Sequence, residues 1–193
     1  MKTMIVASGN SGKIKEIKEI FGNEFDVISI KEIGIEVDVK EEQETFEKNA
    51  IQKAETIARE IEKRTQMKDV WVLADDSGIE VEALNGFPGV KTKRWFDGTD
   101  RERNLALIQK LDGQVNRKVN FITAIAISNG KESFYELGVL SGQIAAEPRG
   151  ENGFGFDEIF ELEDGRTLAE LTEEEKNQMS ARKIALEKIR EQI

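Results

Sequence analysis

Apolar positions along this chain follow two rhythms, and their alternation sets out a series of strands and helices. Residues 4–8 form a run of strand length, and Ile14, Ile17 and Phe21 follow at helical spacing; this predicts a strand, a glycine turn and a helix starting near Gly12. A second strand is expected at 26–30. Residues 45–64 carry Ala50, Ala54, Ile57 and Ile61 on one stripe, the inner face of a long helix. A buried strand is predicted at 70–74, and Ile79, Val81 and Ala83 alternate with Glu80, Glu82 and Leu84 as in a half-buried strand. The run 85–89, which contains one of the two prolines, breaks that pattern. A short helix is expected at 101–111 with Leu105, Ile108 and Leu111 in register. Strands at 121–128 and 132–137 flank Asn129-Gly130, a strong hairpin signal, and another strand is expected at 138–146. Thr172 and Glu175 form a capping box that opens a helix running through Met179, Ile184, Leu186 and Ile189 nearly to the C-terminus.

Several chemically notable stretches fall at the ends of these elements. Asp75 and Asp76 stand where the strand at 70–74 is expected to leave the core, with Ser77 and Gly78 able to turn the chain. Two readings apply to this pair: a solvated turn, or a site for a hard divalent cation, which takes oxygen ligands and pairs one or two carboxylates with substrate phosphates. Lys91, Lys93 and Arg94 follow close behind the acidic pair, as a metal–phosphate site or an ordinary wet loop would have them. Ser8, Asn10 and Lys13 lie between the first strand and helix, where backbone N–H groups and the helix dipole converge on a phosphate-sized point. A plain strand-to-helix connection is the other reading. It is not a Walker loop, because the spacer is too short and Ile14 occupies the position of the metal-binding hydroxyl.

The acidic segment 36–44 precedes the long helix, either as dipole-stabilising surface charge or as the source of a second metal ligand. Asn49 and Lys53, four apart, share one face of that helix. The glycine-rich loop 148–157 carries Phe154, Phe156 and Asp157; its aromatics suit either stacking on a base or capping the core. Lys176, Arg182 and Lys183 would ordinarily be solvent-facing helix charges.

Composition narrows the chemistry. The 193 residues suffice for one sizeable core, without a composition break that marks separate domains. The absence of cysteine excludes disulfides and zinc thiolates, and the absence of histidine excludes serine–histidine triads and histidine metal sites, leaving acid–base work to Asp, Glu, Lys or a bound metal. A net charge of −10 argues against general nucleic-acid binding. No transmembrane run and no signal-peptide pattern is present, so a cytoplasmic protein without membrane association is expected.

The motifs are specific in combination. Ser-Gly-Asn-x-x-Lys at 8–13, Thr-Phe-x-x-Asn-Ala-x-x-Lys-Ala at 45–54, Ala-Asp-Asp-Ser-Gly at 74–78, Asn-Gly-Phe-Pro-Gly-Val at 85–90, Phe-Gly-Phe-Asp at 154–157 and Leu-Thr-x-x-Glu-Lys-x-x-x-Ser-x-Arg at 171–182 together resemble the inosine triphosphate pyrophosphatase family. The resemblance spans nearly the whole chain. It implies an α/β fold, a single domain over 1–193 with a long twisted mixed sheet flanked by helices, in two lobes with a central cleft, and a homodimer. It also implies hydrolysis of inosine, deoxyinosine and xanthosine triphosphates to monophosphate and pyrophosphate, by water attack at the α-phosphorus. By the same resemblance Ser8, Asn10, Lys13 and Lys53 bind the triphosphate, and Glu41 and Asp76 bind Mg²⁺. Phe154 and Asp157 stack on and contact the base, with Gly155 and Phe156 in the same motif, while Lys176, Ala181 and Arg182 stand at nucleotide and base-edge positions. Ser77, Lys93 and Arg94 complete the expected substrate-binding set, and Asp76 or Asp75 is the general base.

Three positions depart from the family pattern. Ala181 replaces the histidine of Ser-His-Arg, Lys91-Thr92 replaces Tyr-Ser, and Lys48 stands where Glu is common. The first bears on base selectivity. Two other functions share these motifs: a related pyrophosphatase with a different base preference, such as one acting on modified pyrimidines, and a nucleotide-binding sensor without turnover.

Overall fold

The computed structural model describes residues 2–192. Seven strands are present among the described residues: β1 (Lys2–Val6), β2 (Phe25–Ser29), β3 (Val70–Val81), β4 (Phe87–Pro88), β5 (Lys118–Ser128), β6 (Ser133–Ile144) and β7 (Phe160–Glu161). They form one sheet in the order β2-β1-β3-β5-β6-β7, with β4 beside β3. β1 is parallel to β2 and β3, whereas β3 with β4 and β6 with β7 are antiparallel, so the sheet is mixed. Helices α1 (Ser11–Phe21), α2 (Phe46–Arg64), α3 (Asp100–Lys110), α4 (Glu173–Met179) and α5 (Ala181–Arg190) flank it, giving the expected α/β class.

The chain divides into two compact units. The first contains residues up to Asp76, Thr123–Gly138 and the segment from Arg182 onward; the second contains Ser77–Ile122 and Val139–Ala181. In the first, β1 and β3 lie in register with Met4 opposite Trp71 and Val6 opposite Leu73. These four side chains pack with Ile17 and Phe21 of α1 and with Ala185, Leu186 and Ile189 of α5. Because side chains alternate along a strand, Ile5 and Val72 point to the opposite face, and both are fully buried as well. β1 and β3 are therefore covered on both faces, as parallel strands usually are. The stripe expected on α2 is buried at Ala50, Ala54, Ile57 and Ile61.

The second unit has its own core, built from Ile79 and Val81 of β3, Leu107 and Leu111 around α3, Val119, Ile144, Phe156, Phe160 and Leu168. The inward side of α3 differs from the expected one: Leu105 is exposed, while Asn104 and Leu107 are buried. Both spacings fit a helix, and Asn104 takes the inner position, where its Nδ2 donates to Gly155 O and to Glu158 Oε1.

Three further boundaries differ from the sequence reading. β3 does not end at Ala74; it continues through Asp75, Asp76, Ser77 and Gly78 to Val81, and Glu82–Leu84 then form a turn of 3₁₀ helix. The strands expected at 132–137 and 138–146 are one strand, β6, with Gly138 inside it. The C-terminal helix is cut in two at Ser180, whose φ of −63° and ψ of 143° are extended. Serine competes with the backbone for hydrogen bonds and so favours such breaks. The hairpin at Asn129-Gly130 forms as expected: Asn129 Oδ1 accepts from Lys131 N and Glu132 N, and Gly130 takes the positive φ.

Candidate active site

The continuity of β3 decides the geometry of its two aspartates. Alternation places Asp75 on the face of Trp71 and Leu73, which packs on α1 and α5, and places Asp76 on the face of Val72 and Ala74. The partners agree. Lys13 Nζ of α1 lies 2.6 Å from Asp75 Oδ2, and Arg182 Nη2 of α5 lies 3.6 Å from the same oxygen. Asp76 Oδ2 instead accepts from Asn49 Nδ2 of α2 at 2.9 Å. Neither aspartate is a solvated turn residue, since they are only 7% and 4% exposed.

Burial alone would raise the proton affinity of Asp75, but the charges of Lys13, Arg182 and, less strongly, Lys53, with the hydrogen bond from Lys13, overcome it. The Asp75 carboxyl is held well below the usual carboxylate range. It is thus a fixed anion and a weak proton acceptor near neutral pH. Arg182 also pairs with Glu16 at 3.4 Å, and its buried Nε has no hydrogen-bond partner among the described residues.

Glu41 is brought to the same unit by Lys53, whose Nζ lies 3.0 Å from Glu41 Oε1. Asn49 and Lys53 stand four residues apart on α2, about 6 Å along its axis. The two carboxylates expected to hold a cation are therefore each tied to consecutive turns of one helix face. Among the described residues no group of three or more acidic, histidine or cysteine side chains gathers to enclose a metal. A pair of carboxylates fits a cation that keeps waters and takes phosphate oxygens to complete its shell.

Beside this cluster, the 8–13 loop is closed by short-range bonds. Asn10 caps α1 by accepting from Lys13 N at 3.1 Å, and Asn10 N donates to Ser8 Oγ at 3.1 Å. Ser29 Oγ ties Ser8 O to the end of β2. The first turn of α1 contains no acidic residue, so the positive end of the helix is not neutralised from within it.

The second unit holds the aromatic loop. Phe154 is 65% exposed, whereas Phe156 is 4% exposed and packs in the core with Arg103 4.5 Å above its ring. Of the two phenylalanines, Phe154 is therefore available for stacking and Phe156 caps the core. Asp157 Oδ2 accepts from Phe154 N at 2.9 Å and from Lys176 Nζ, and that ammonium also sits 4.8 Å from the Phe154 ring centroid. A Cβ at Gly153, which has φ of 79°, would collide with Asp157 Oδ2, so only glycine permits this approach. The loop is anchored by Asp100 to Gly155 N, by Asn104 to Gly155 O and by Asn152 to Leu171 O.

The remaining expected residues lie as follows. Ser77 is half-buried within β3, Lys93 and Arg94 are exposed after a 3₁₀ turn, and Ala181 is buried at the start of α5. The neighbouring Thr92 is buried and accepts from Ile79 N of β3. Sequence reasoning left Asn49, Glu16, Asn104 and Asn152 without a place in the site. Asn49 carried a signal, a polar side chain beside the apolar stripe and one turn before Lys53; the others carried none without knowledge of their partners.

Known proteins match this chain along its length. It is 42% identical to a dITP/XTP pyrophosphatase of Caldanaerobacter subterraneus, with 100% of the chain and 96% of that protein covered. A dITP/XTP pyrophosphatase of Bacillus subtilis is also 42% identical, over 98% of the chain and 96% of that protein. Among solved structures, the Ham1 protein of Staphylococcus aureus superposes with a TM-score of 0.87 at 38% identity, covering 97% of this chain and 96% of that one. A HAM1 protein from Coxiella burnetii gives 0.86 at 37% identity, covering 98% and 96%. The sequence profile of the Ham1 family matches residues 4–192, and with these relatives it shows that the chain belongs to the Ham1 family.

Proposed function

We propose that this protein is a Mg²⁺-dependent hydrolase that converts inosine, deoxyinosine and xanthosine triphosphates to their monophosphates and pyrophosphate. The relatives named dITP/XTP pyrophosphatase support the substrate class. The observation that carries the reading to this chain is the gathering of Lys13, Asp75, Asp76, Asn49, Lys53 and Glu41 in one unit, from four separate stretches of sequence.

In this reading Lys13, Lys53 and the N–H groups of the 8–13 loop hold the triphosphate. Water adds to the α-phosphorus, the bond to the bridging oxygen breaks, and pyrophosphate leaves. Asp76 accepts the proton of that water. Asp75 stays ionised and fixes Lys13 and Arg182, while Lys93 and Arg94 are assigned to the substrate by the family resemblance. Glu41 and Asp76 would hold Mg²⁺, which when bound would neutralise phosphate charge; such neutralisation and positioning account for most catalysis of phosphoryl transfer. Phe154 stacks on the purine, and Lys176 and Asp157 contact the nucleotide beside it. We further assign the protein to the cytoplasm as a homodimer, on the family resemblance.

Pyrophosphate release measured over a panel of inosine, xanthosine, adenosine, guanosine and pyrimidine triphosphates tests the reading. Turnover fastest for the first two, with monophosphate formed in equal amount, is the expected result. Release from pyrimidine triphosphates alone would move the protein to a different base class, and no release from any would make it a binder.

A further inference from the structure

Asn49 is 1% exposed, and its side-chain amide is used at both ends. Oδ1 accepts from Gln43 N at 2.9 Å, and Nδ2 donates to Asp76 Oδ2 at 2.9 Å. The amide orientation is fixed by these partners, since a backbone N–H needs an acceptor and a carboxylate needs a donor. Asparagine is a poor residue for a helix interior, and a buried amide is costly unless satisfied. Its place at this position therefore calls for a reason beyond packing.

Gln43 lies two residues from Glu41 on the segment that leads into α2, and Lys53, one turn further along the helix, pairs with Glu41 itself. One amide thus joins the segment bearing the first carboxylate to the second carboxylate. We infer that Asn49 is a positioning residue that sets the separation of Glu41 and Asp76 for a divalent cation. The inference rests on the metal reading given above. Aspartate at this position would turn an acceptor toward Asp76, and leucine would remove the Asn49 hydrogen bonds to Gln43 N and to Asp76. Lysine or glutamine would be too long for the space between two partners each 2.9 Å away.

The test is a Mn²⁺ titration of the ligand-free protein, read by loss of the free-ion electron paramagnetic resonance signal, on wild type and Asn49→Leu. Outer partners of metal ligands are worth about 10–100-fold in affinity, so Asn49→Leu is expected to weaken Mn²⁺ binding by about tenfold or more. The Mg²⁺ concentration for half-maximal hydrolysis should rise in step, while KM for inosine triphosphate at saturating Mg²⁺ stays within about twofold. If Asn49→Leu does not fold, Asn49→Asp keeps the acceptor for Gln43 and exchanges only the donor to Asp76; its Mn²⁺ constant should then differ several-fold from wild type. A folded variant with unchanged Mn²⁺ and Mg²⁺ constants would overturn the role of Asn49 alone. A wild type that binds no Mn²⁺ and hydrolyses without Mg²⁺ would overturn both this inference and the metal reading.

Discussion

Asp75 and Asp76 are adjacent in sequence yet project to opposite faces of one strand, Asp75 to Lys13 and Arg182, Asp76 to Asn49. They cannot share a role. The first is an internal counter-ion for two cations, and in the proposed reading the second is the carboxylate that acts with Glu41.

Separate variants should show this division. Asp75→Asn keeps the shape but removes the charge that Lys13 and Arg182 surround. A charge-assisted hydrogen bond is worth about 1.5–3 kcal/mol, so a loss of that order is expected in urea unfolding, with a raised KM for inosine and xanthosine triphosphates alike. Equal stability and unchanged KM would show that the ion cluster holds nothing in place.

Lys13→Met and Lys53→Met should impair inosine and xanthosine triphosphates to the same degree, since both substrates present the same phosphates. The readout is the ratio of kcat/KM for the two substrates. A change in that ratio would place either lysine at the base instead.

The two phenylalanines of the aromatic loop should behave oppositely. Phe154→Ala leaves the fold stable, because the ring is largely exposed, but raises KM through loss of stacking worth about 1–3 kcal/mol. Phe156→Ala empties a core position and should cost about 3–5 kcal/mol of stability. Chemical denaturation and steady-state kinetics on the pair distinguish these outcomes.

The chain has no histidine, and Ala181 stands where the family pattern has one. No imidazole can titrate at the base edge, so the preference for inosine over adenosine triphosphate should be flat between about pH 6 and 8. The preference itself should persist in weakened form, because Arg182 retains a fork of donors that a 6-keto oxygen can accept. Competition between the two triphosphates across that pH range checks both statements; a preference for adenosine would contradict this view of the base edge.

Much of this organisation was readable from residue order. The stripe on α2, the hairpin at Asn129-Gly130 and the cap at Thr172 follow from local chemistry, and each forms where its residues require. The facing of Asp75 and Asp76 was not readable, because Ser77 and Gly78 carry a turn signal that the sheet overrides by continuing β3 to Val81. Ser180 is the reverse case: a helix-compatible run is broken by one serine whose extended angles no spacing reveals. Phe154 and Phe156 have the same local sequence signature and differ only in what packs around them, which is a tertiary property.

The most direct test of the account is the hydrolysis of inosine triphosphate by wild type and Asp76→Asn, with Mg²⁺ and with excess chelator, following pyrophosphate and inosine monophosphate together. Wild type should release the two products in equal amounts with Mg²⁺ only, and the near-isosteric Asp76→Asn should fold normally and lose most of that activity. Wild-type rates in the variant or in chelator, or release of inorganic phosphate with inosine diphosphate, would contradict the account.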